Sequence, residues 1–272
     1  METTTPSHSA DPFTQFKAQQ REGWASFAPL EAVTTPTAAK LVNFAEVRSG
    51  QKVLDIGCGT GVVAVTAACR GAHATGLDLT PILLERARVN AKNAGVSIEF
   101  IEGDAEQLPF ADETFDVVLS QFGHMFAPRP AIALAEMLRV LKKGGRLAFS
   151  TWPPQFYTGK MFSLVGQYLT PPAGAASPVL WGDTKIIQER LGDAVRDLAF
   201  DGDRMLTPGL SPRQCVARFE ESAAPVMKVV QLLKENPSKL EEFRAALIAL
   251  VATYWRDNQL HQDFLMTRAV KK

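Results

Sequence analysis

Along the chain, short apolar runs alternate with longer stretches in which apolar residues recur every three or four positions, the pattern of strands alternating with helices. Val53-Leu54-Asp55-Ile56 is the clearest run, three apolar residues in four with two of them β-branched, which suits a buried strand. Further strands are predicted at His73–Asp78, Ile98–Asp104, Phe115–Ser120, Arg146–Thr151, Val195–Leu206 and Leu260–Val270. Helices are predicted between them. Thr35-Pro36 and Thr80-Pro81 each read as an N-cap followed by proline at the first helical position, starting helices to Glu46 and Asn93. Val62 opens a helix that ends before Gly71, and Arg129–Leu141 is a helix ended by Gly144-Gly145, with Ile132, Met137, Val140 and Leu141 inward. Phe13–Phe27, Gly159–Tyr168 and Gly182–Leu191 also show helical spacing. A helical insertion spans Pro212–Asn258, broken at Asn236-Pro237, with Ser238 as the cap of its second helix. Met1–Pro12, rich in Thr, Ser and Pro, is predicted to be disordered.

Composition narrows the class without naming a function. The 272 residues are 46% hydrophobic and 21% charged, an ordinary globular balance. Formal net charge is zero, so no basic field recruits nucleic acid or an acidic membrane. No apolar run reaches the ~18–20 residues of a membrane span, and the polar start lacks the core of a secretory signal. Cys58, Cys69 and Cys215 fit no metal spacing and read as free thiols, which predicts a reducing, cytoplasmic setting. Oligomeric state stays open, a homodimer included.

The first strand runs into Gly57-Cys58-Gly59-Thr60-Gly61, and a helix follows directly. Glycine tolerates backbone angles that side chains forbid, and its bare face lets a ligand lie against the main chain beside the free N–H groups of a helix start. A dinucleotide fingerprint would place glycine or alanine where Val62 stands, and no lysine follows as a phosphate loop requires. Asp78 ends the second strand 21 residues after Gly57, where a carboxylate can accept both ribose hydroxyls of an adenosine. Asp104 ends the third. Together the glycine turn and two strand-end acids describe a nucleoside crevice.

From Leu41 to Trp152 these motifs resemble the class I S-adenosylmethionine-dependent methyltransferases, in particular the branch of ubiquinone/menaquinone-biosynthesis enzymes. The resemblance implies a Rossmann-like α/β fold: a seven-stranded sheet with its last strand antiparallel, helices on both faces and a helical insertion late in the chain. It implies S-adenosylmethionine as cofactor and S-adenosylhomocysteine as product. Gly57, Gly59 and Gly61 would line the methionine and ribose, with Cys58 a small filler and Asp55 beneath the loop. Asp78 would bind the ribose hydroxyls, with Leu79 against the adenine; Asp104 would meet the adenine amino group, Ala105 would offer its backbone N–H to the ring, and Glu106 would join the cofactor-binding set. Ser120 and Gln121 would approach the methionine. His124, just beyond the fourth strand, is the titratable residue placed to take a proton from an acceptor, against the plain reading of a histidine bonded to a loop carbonyl or exposed.

Three segments are expected: a leader and flap helix over 1–34, the cofactor-binding core over 35–152, and the rest of the sheet with a substrate cap over 153–272. Trp24, Phe27, Phe126, Trp152, Phe156, Tyr157, Met161, Phe162, Phe219 and Met227 are mostly core by their spacing, yet several fall near the carboxyl edge of the sheet. They favour a small apolar or aromatic acceptor. Two other classes stay open, a non-catalytic S-adenosylmethionine-binding regulator and an NAD-linked oxidoreductase; Val62 and Asp104 count against the latter.

Overall fold

The computed structural model describes residues 12–272; all but the last residue of the stretch expected to be disordered lies outside them. Strands β1 (Lys52–Ile56), β2 (His73–Asp78), β3 (Glu99–Glu102), β4 (Phe115–Gln121) and β5 (Leu141–Thr151) form the parallel part of a sheet ordered β3-β2-β1-β4-β5-β8-β6. Strand β8 (Gln259–Lys271) runs antiparallel between β5 and β6 (Val195–Pro208), so β6 points the same way as β1 to β5.

Alternate residues of the central strands feed two different cores, which is why their apolar runs show no polar face. Val53, Val117, Leu119 and Ala148 face helices α2 (Glu31–Phe44), α3 (Val62–Ala68) and α4 (Pro81–Asn93). Leu54, Ile56, Val118, Leu147 and Phe149 face α5 (Pro130–Val140) and α7 (Thr184–Leu191). A third core ties α6 (Tyr157–Gly166) to α8 (Pro212–Ser222), α9 (Ala224–Leu233) and α10 (Pro237–Thr253) through Met161, Phe219, Val226, Phe243 and Leu247. Helix α1 (Thr14–Trp24) lies against α9, where a Cβ on Gly23 would come within 3.2 Å of Ala224.

Several boundaries differ from the sequence expectation. An eighth strand, β7 (Trp255–Arg256), pairs with β8 through a two-residue turn at Asp257 and Asn258, both at positive φ. That is the type I′ geometry that Asp and Asn tolerate, hidden at the end of a helical stretch. Helix α2 begins at Glu31 and carries Pro36 inside it. The Thr35 hydroxyl turns back to donate to the Glu31 carbonyl at 2.8 Å instead of capping the residues ahead. Gly144 and Gly145 do not end α5; they sit in a bulge of β5, where the register jumps from Leu141 opposite Phe115 to Arg146 opposite Val117. The late insertion breaks twice, since Pro225 starts α9 as Pro237 starts α10, and Asn236 rather than Ser238 caps the latter by accepting from Lys239 N–H. Ile132 is exposed; Ala133 and Leu134 face the sheet in its place.

Candidate cofactor and acceptor site

The order of strands across the sheet reverses at β1, which has β2 on one side and β4 on the other, both parallel to it, and this opens a crevice beyond the carboxyl ends of those strands. The glycine turn fills its floor. Gly57 and Gly59 have φ of +64° and +53°. A Cβ on Gly57 would stand 2.8 Å from the Gly123 Cα, and one on Gly123 would stand 2.7 Å from the Gly57 carbonyl oxygen. Two bare backbones therefore meet where the turn after β1 passes the loop after β4. Gly123→Ala should cost about 1–3 kcal/mol, because backbone cannot yield as a side-chain tip can. Denaturant unfolding checks this, and a loss below a few tenths would mean that the loops part easily. A Cβ on Gly59, by contrast, would project into open space.

Two carboxylates edge the turn. Asp78 accepts the Gly59 N–H at 2.7 Å and the Thr80 N–H at 2.8 Å, which fixes the loop and leaves each oxygen room for another donor. Burial raises its pKa against the pull of those bonds. Asp55 accepts the Ala64 N–H at 3.1 Å through Oδ2, while its buried Oδ1 has no partner within the protein. Burial first, with the charge of Asp78 adding to it, holds the Asp55 pKa well above the carboxylate range. The same burial, with both carboxylates nearby, pushes up the Cys58 thiol, so this residue is no nucleophile. Its sulfur stands 2.9 Å from where a Cβ on Gly76 would be.

Asp55, Gly57, Cys58, Gly59, Asp78, Leu79, Asp104, Ala105 and Gln121 all border one cavity of about 250 Å³. Three predicted residues stand outside it. Gly61 serves packing, since a Cβ there would meet Ala87 and the Phe100 ring at 3.0–3.1 Å. The Ser120 hydroxyl donates to the Ile56 carbonyl at 2.7 Å and accepts the His124 N–H, pinning β4 to β1. The Glu106 carboxylate turns inward, to Lys17 of α1 at 2.6 Å and to the Arg129 backbone and guanidinium at 2.6–2.8 Å.

The surroundings of His124 count against its role as a base. His124 contributes to the wall, but its ring is buried against Phe149 and Trp181, centroids 4.6 and 4.7 Å away, with both nitrogens unpartnered. Burial, aided by the positive charge of Arg190, pushes its pKa down to about 3, far too weak a base to take a proton near neutral pH. It is neither exposed nor bonded to a loop carbonyl.

Other wall residues escaped the sequence reading. Phe122, at φ +60°, stacks on Trp152 with centroids 4.0 Å apart. From the leader, Lys17 reaches Asp104 at 2.7 Å, and Gln20 donates to the Phe126 carbonyl at 2.9 Å, laying α1 across the opening. Met205, Thr158, Thr207 and Gln262 close the far end. Of the aromatic and methionine residues singled out from sequence, Phe156 and Met227 lie away from the cavity.

A crevice with an unsatisfied buried acceptor, a backbone left bare at Gly59, Asp78 at the end of β2 and Asp104 two residues beyond β3 fits an adenosine carrying a cationic tail. Comparison with known proteins decides which. Residues 54–149 match the family model described as a methyltransferase domain. Over 104 residues, 37% of this chain and 42% of the relative, the sequence is 45% identical to the ubiquinone/menaquinone biosynthesis C-methyltransferase UbiE of Roseobacter denitrificans. The chain carries an S-adenosylmethionine-dependent methyltransferase domain. An uncharacterised protein of Mycobacterium tuberculosis is 33% identical over 256 residues, 92% of this methyltransferase and 93% of its own length. In fold, the chain resembles a methyltransferase of Thermotoga maritima, described as a possible histamine N-methyltransferase, at TM-score 0.56 and 17% identity, covering 96% and 100% of the two chains. A methyltransferase fold from Bacillus halodurans matches at TM-score 0.57 and 22% identity, covering 86% and 98%. The cofactor is S-adenosylmethionine, and the cavity has the donors, acceptors and bare backbone to receive it. No helix among the described residues is long and apolar enough to cross a membrane.

Proposed function

We propose that this methyltransferase alkylates a small, apolar, aromatic acceptor in the part of the cavity roofed by α1 and the helices late in the chain. One observation carries the proposal. The charged side chains that border the cavity, Lys17, Asp55, Asp78 and Asp104, lie at or just beyond the strand ends or are paired there, whereas Trp24, Phe27, Phe126, Trp152, Phe162 and Phe219 supply the large side chains of the remaining wall. An apolar wall that dense favours a flat, uncharged molecule and keeps water from the transfer.

When bound, the cofactor supplies a methyl group already activated on a sulfonium. The chain's share is then binding, orientation and exclusion of water, and no acid–base pair is required. Asp78 would accept the ribose hydroxyls, and Leu79 and the Ala105 N–H would hold the adenine. Asp55 Oδ1 would accept from the ammonium of the methionine portion. Asp104, its carboxylate already bridged to Lys17 and to the Glu106 N–H, would hold the adenine on the side of α1. In this reading the leader and the late helices act as one cap.

Asp78→Ala tests the cofactor half. Affinity for S-adenosylhomocysteine, measured by calorimetry, should fall by about 1–3 kcal/mol. Thermal stability should fall as well, because the Gly59 and Thr80 N–H groups lose their acceptor. Unchanged affinity would remove Asp78 from the ribose. The acceptor half is tested by S-adenosylhomocysteine formation across a panel of neutral aromatic and charged polar acceptors. Turnover confined to the charged ones would overturn it.

A further inference from the structure

One spot on the apolar wall is polar where the strand pattern asks for hydrocarbon. Along β8 the residues facing the core run Leu260, Gln262, Phe264, Met266, and on its neighbour β6 the matching face carries Met205 and then Thr207. Gln262 and Thr207 are 6% and 2% exposed, and both border the cavity, as does Thr158 at the start of α6. The Thr158 hydroxyl donates to Gln262 Oε1 at 3.2 Å, and Gln262 Nε2 donates to the Thr207 hydroxyl oxygen at 2.6 Å.

The valences of this chain do not close. An amide nitrogen carries two hydrogens and one is used; the Thr207 hydroxyl accepts and keeps its own proton. Exchanging the amide oxygen and nitrogen of Gln262 moves the spare hydroxyl proton from Thr207 to Thr158 and leaves the tally unaltered. Either way one N–H and one O–H remain without an acceptor in the protein, at a place on the cavity wall. Burying a donor without a partner is costly, and a leucine at position 262 would continue the row of Leu260 and Phe264 at no such cost.

We infer that Gln262 and Thr207 form an oxygen anchor for the acceptor: this enzyme takes a neutral, largely apolar molecule that carries one hydrogen-bond-accepting oxygen, of carbonyl or ether type, seated against these two side chains. The inference rests on the apolar-acceptor reading above and sharpens it. The charged groups bordering the cavity gather at the cofactor end, so no cation is offered to an anionic oxygen here, and a carboxylate would lose its hydration for two neutral donors. Gln262 and Thr207 thereby select among apolar molecules of one shape by the oxygen they carry.

Three naphthalenes of similar outline test this on the enzyme saturated with S-adenosylhomocysteine, with binding followed by calorimetry. In 2-acetylnaphthalene a carbonyl oxygen stands where 2-isopropylnaphthalene has a methyl group, and 2-naphthoate carries the charge. The ketone should bind about tenfold more tightly than the hydrocarbon, the value of one good hydrogen bond, and naphthoate should bind less well than the ketone. Gln262→Leu and, independently, Thr207→Val should each shrink the ketone preference to within about threefold while leaving affinity for S-adenosylhomocysteine unchanged, which also reports that each variant is folded. Equal binding of ketone and hydrocarbon to the wild type, a preference that survives both substitutions, or naphthoate as the tightest ligand would overturn the anchor and leave the apolar acceptor standing. Binding of none of the three would overturn the apolar acceptor itself, and the anchor with it.

Discussion

Replacing His124 with phenylalanine should make the protein resist acid that unfolds the wild type. The folded state holds the His124 ring neutral down to about pH 3, whereas an unfolded histidine takes up its proton near 6.5. Between those values the unfolded chain binds one proton more than the folded one, so stability rises with pH and is lost as pH falls. Each pH unit in the window costs about 1.4 kcal/mol, a large share of the ~5–15 kcal/mol that holds a typical domain together. In His124→Phe this slope vanishes. At pH 7 the variant should match the wild type to within about 1 kcal/mol, because an aromatic ring replaces two buried nitrogens that have no partner. Its affinity for S-adenosylhomocysteine should not change. Denaturant midpoints for both proteins from pH 7 to pH 4 check the prediction. Parallel curves would mean that the imidazole reaches water in solution and would restore it as a candidate base.

The contrast between His124 and the glycine turn shows what the sequence could carry. Turn, strand and acid stand close together in the chain at Asp55–Gly61 and Asp78, and their geometry is set by local backbone demands: positive φ at Gly57 and Gly59, and a carboxylate at a strand end. Such demands are written in residue types and spacing, and the cofactor crevice was legible for that reason. The environment of His124 is not legible locally, because it comes from Phe149 on β5 and Trp181 just before α7, long-range neighbours that no local pattern names. Gly61 belongs to the same motif as Gly57, yet its bare face serves Ala87 and Phe100. Residue type alone cannot separate room for a ligand from room for a neighbour. The donors at Gln262 and Thr207 did leave a trace, a polar residue interrupting the buried row of β8, but that trace becomes meaningful only once β8 is known to lie between β5 and β6. The alternation of Leu260–Val270 predicts the strand without marking the polar member of its buried row.

Glu106 is the other residue whose role depends on what arrives from afar, and its removal should be felt across the whole fold. Two positions beyond Asp104, it reads as part of the adenine pocket; in the structure its carboxylate, only 1% exposed, gathers Lys17 from 89 residues upstream and both the backbone and the guanidinium of Arg129. Arg129 is the residue just before α5, so one side chain joins the leader helix, the loop after β3 and the start of α5. Breaking a buried pair by removing one partner typically costs about 3–5 kcal/mol, since the charge left behind is neither hydrated nor paired. Here the lower end is expected: the Arg129 side chain is 31% exposed and can turn to water, and Lys17 keeps Asp104 at 2.7 Å. Glu106→Ala should therefore lower stability by about 3 kcal/mol, equivalent to about 6–12 °C in melting temperature for a chain of this size. The loss should fall unevenly. Amide exchange across Thr14–Trp24 should accelerate more than exchange across β1 and β4, because α1 is held to the rest of the fold by side-chain contacts while the strands are held by the sheet. Affinity for S-adenosylhomocysteine should drop only as far as α1 and Asp104 are displaced, less than in Asp78→Ala. A melting temperature within about 2 °C of the wild type would show that Lys17 and Arg129 find water or other acceptors freely, and that the leader is held down by Trp24 and Phe126 instead.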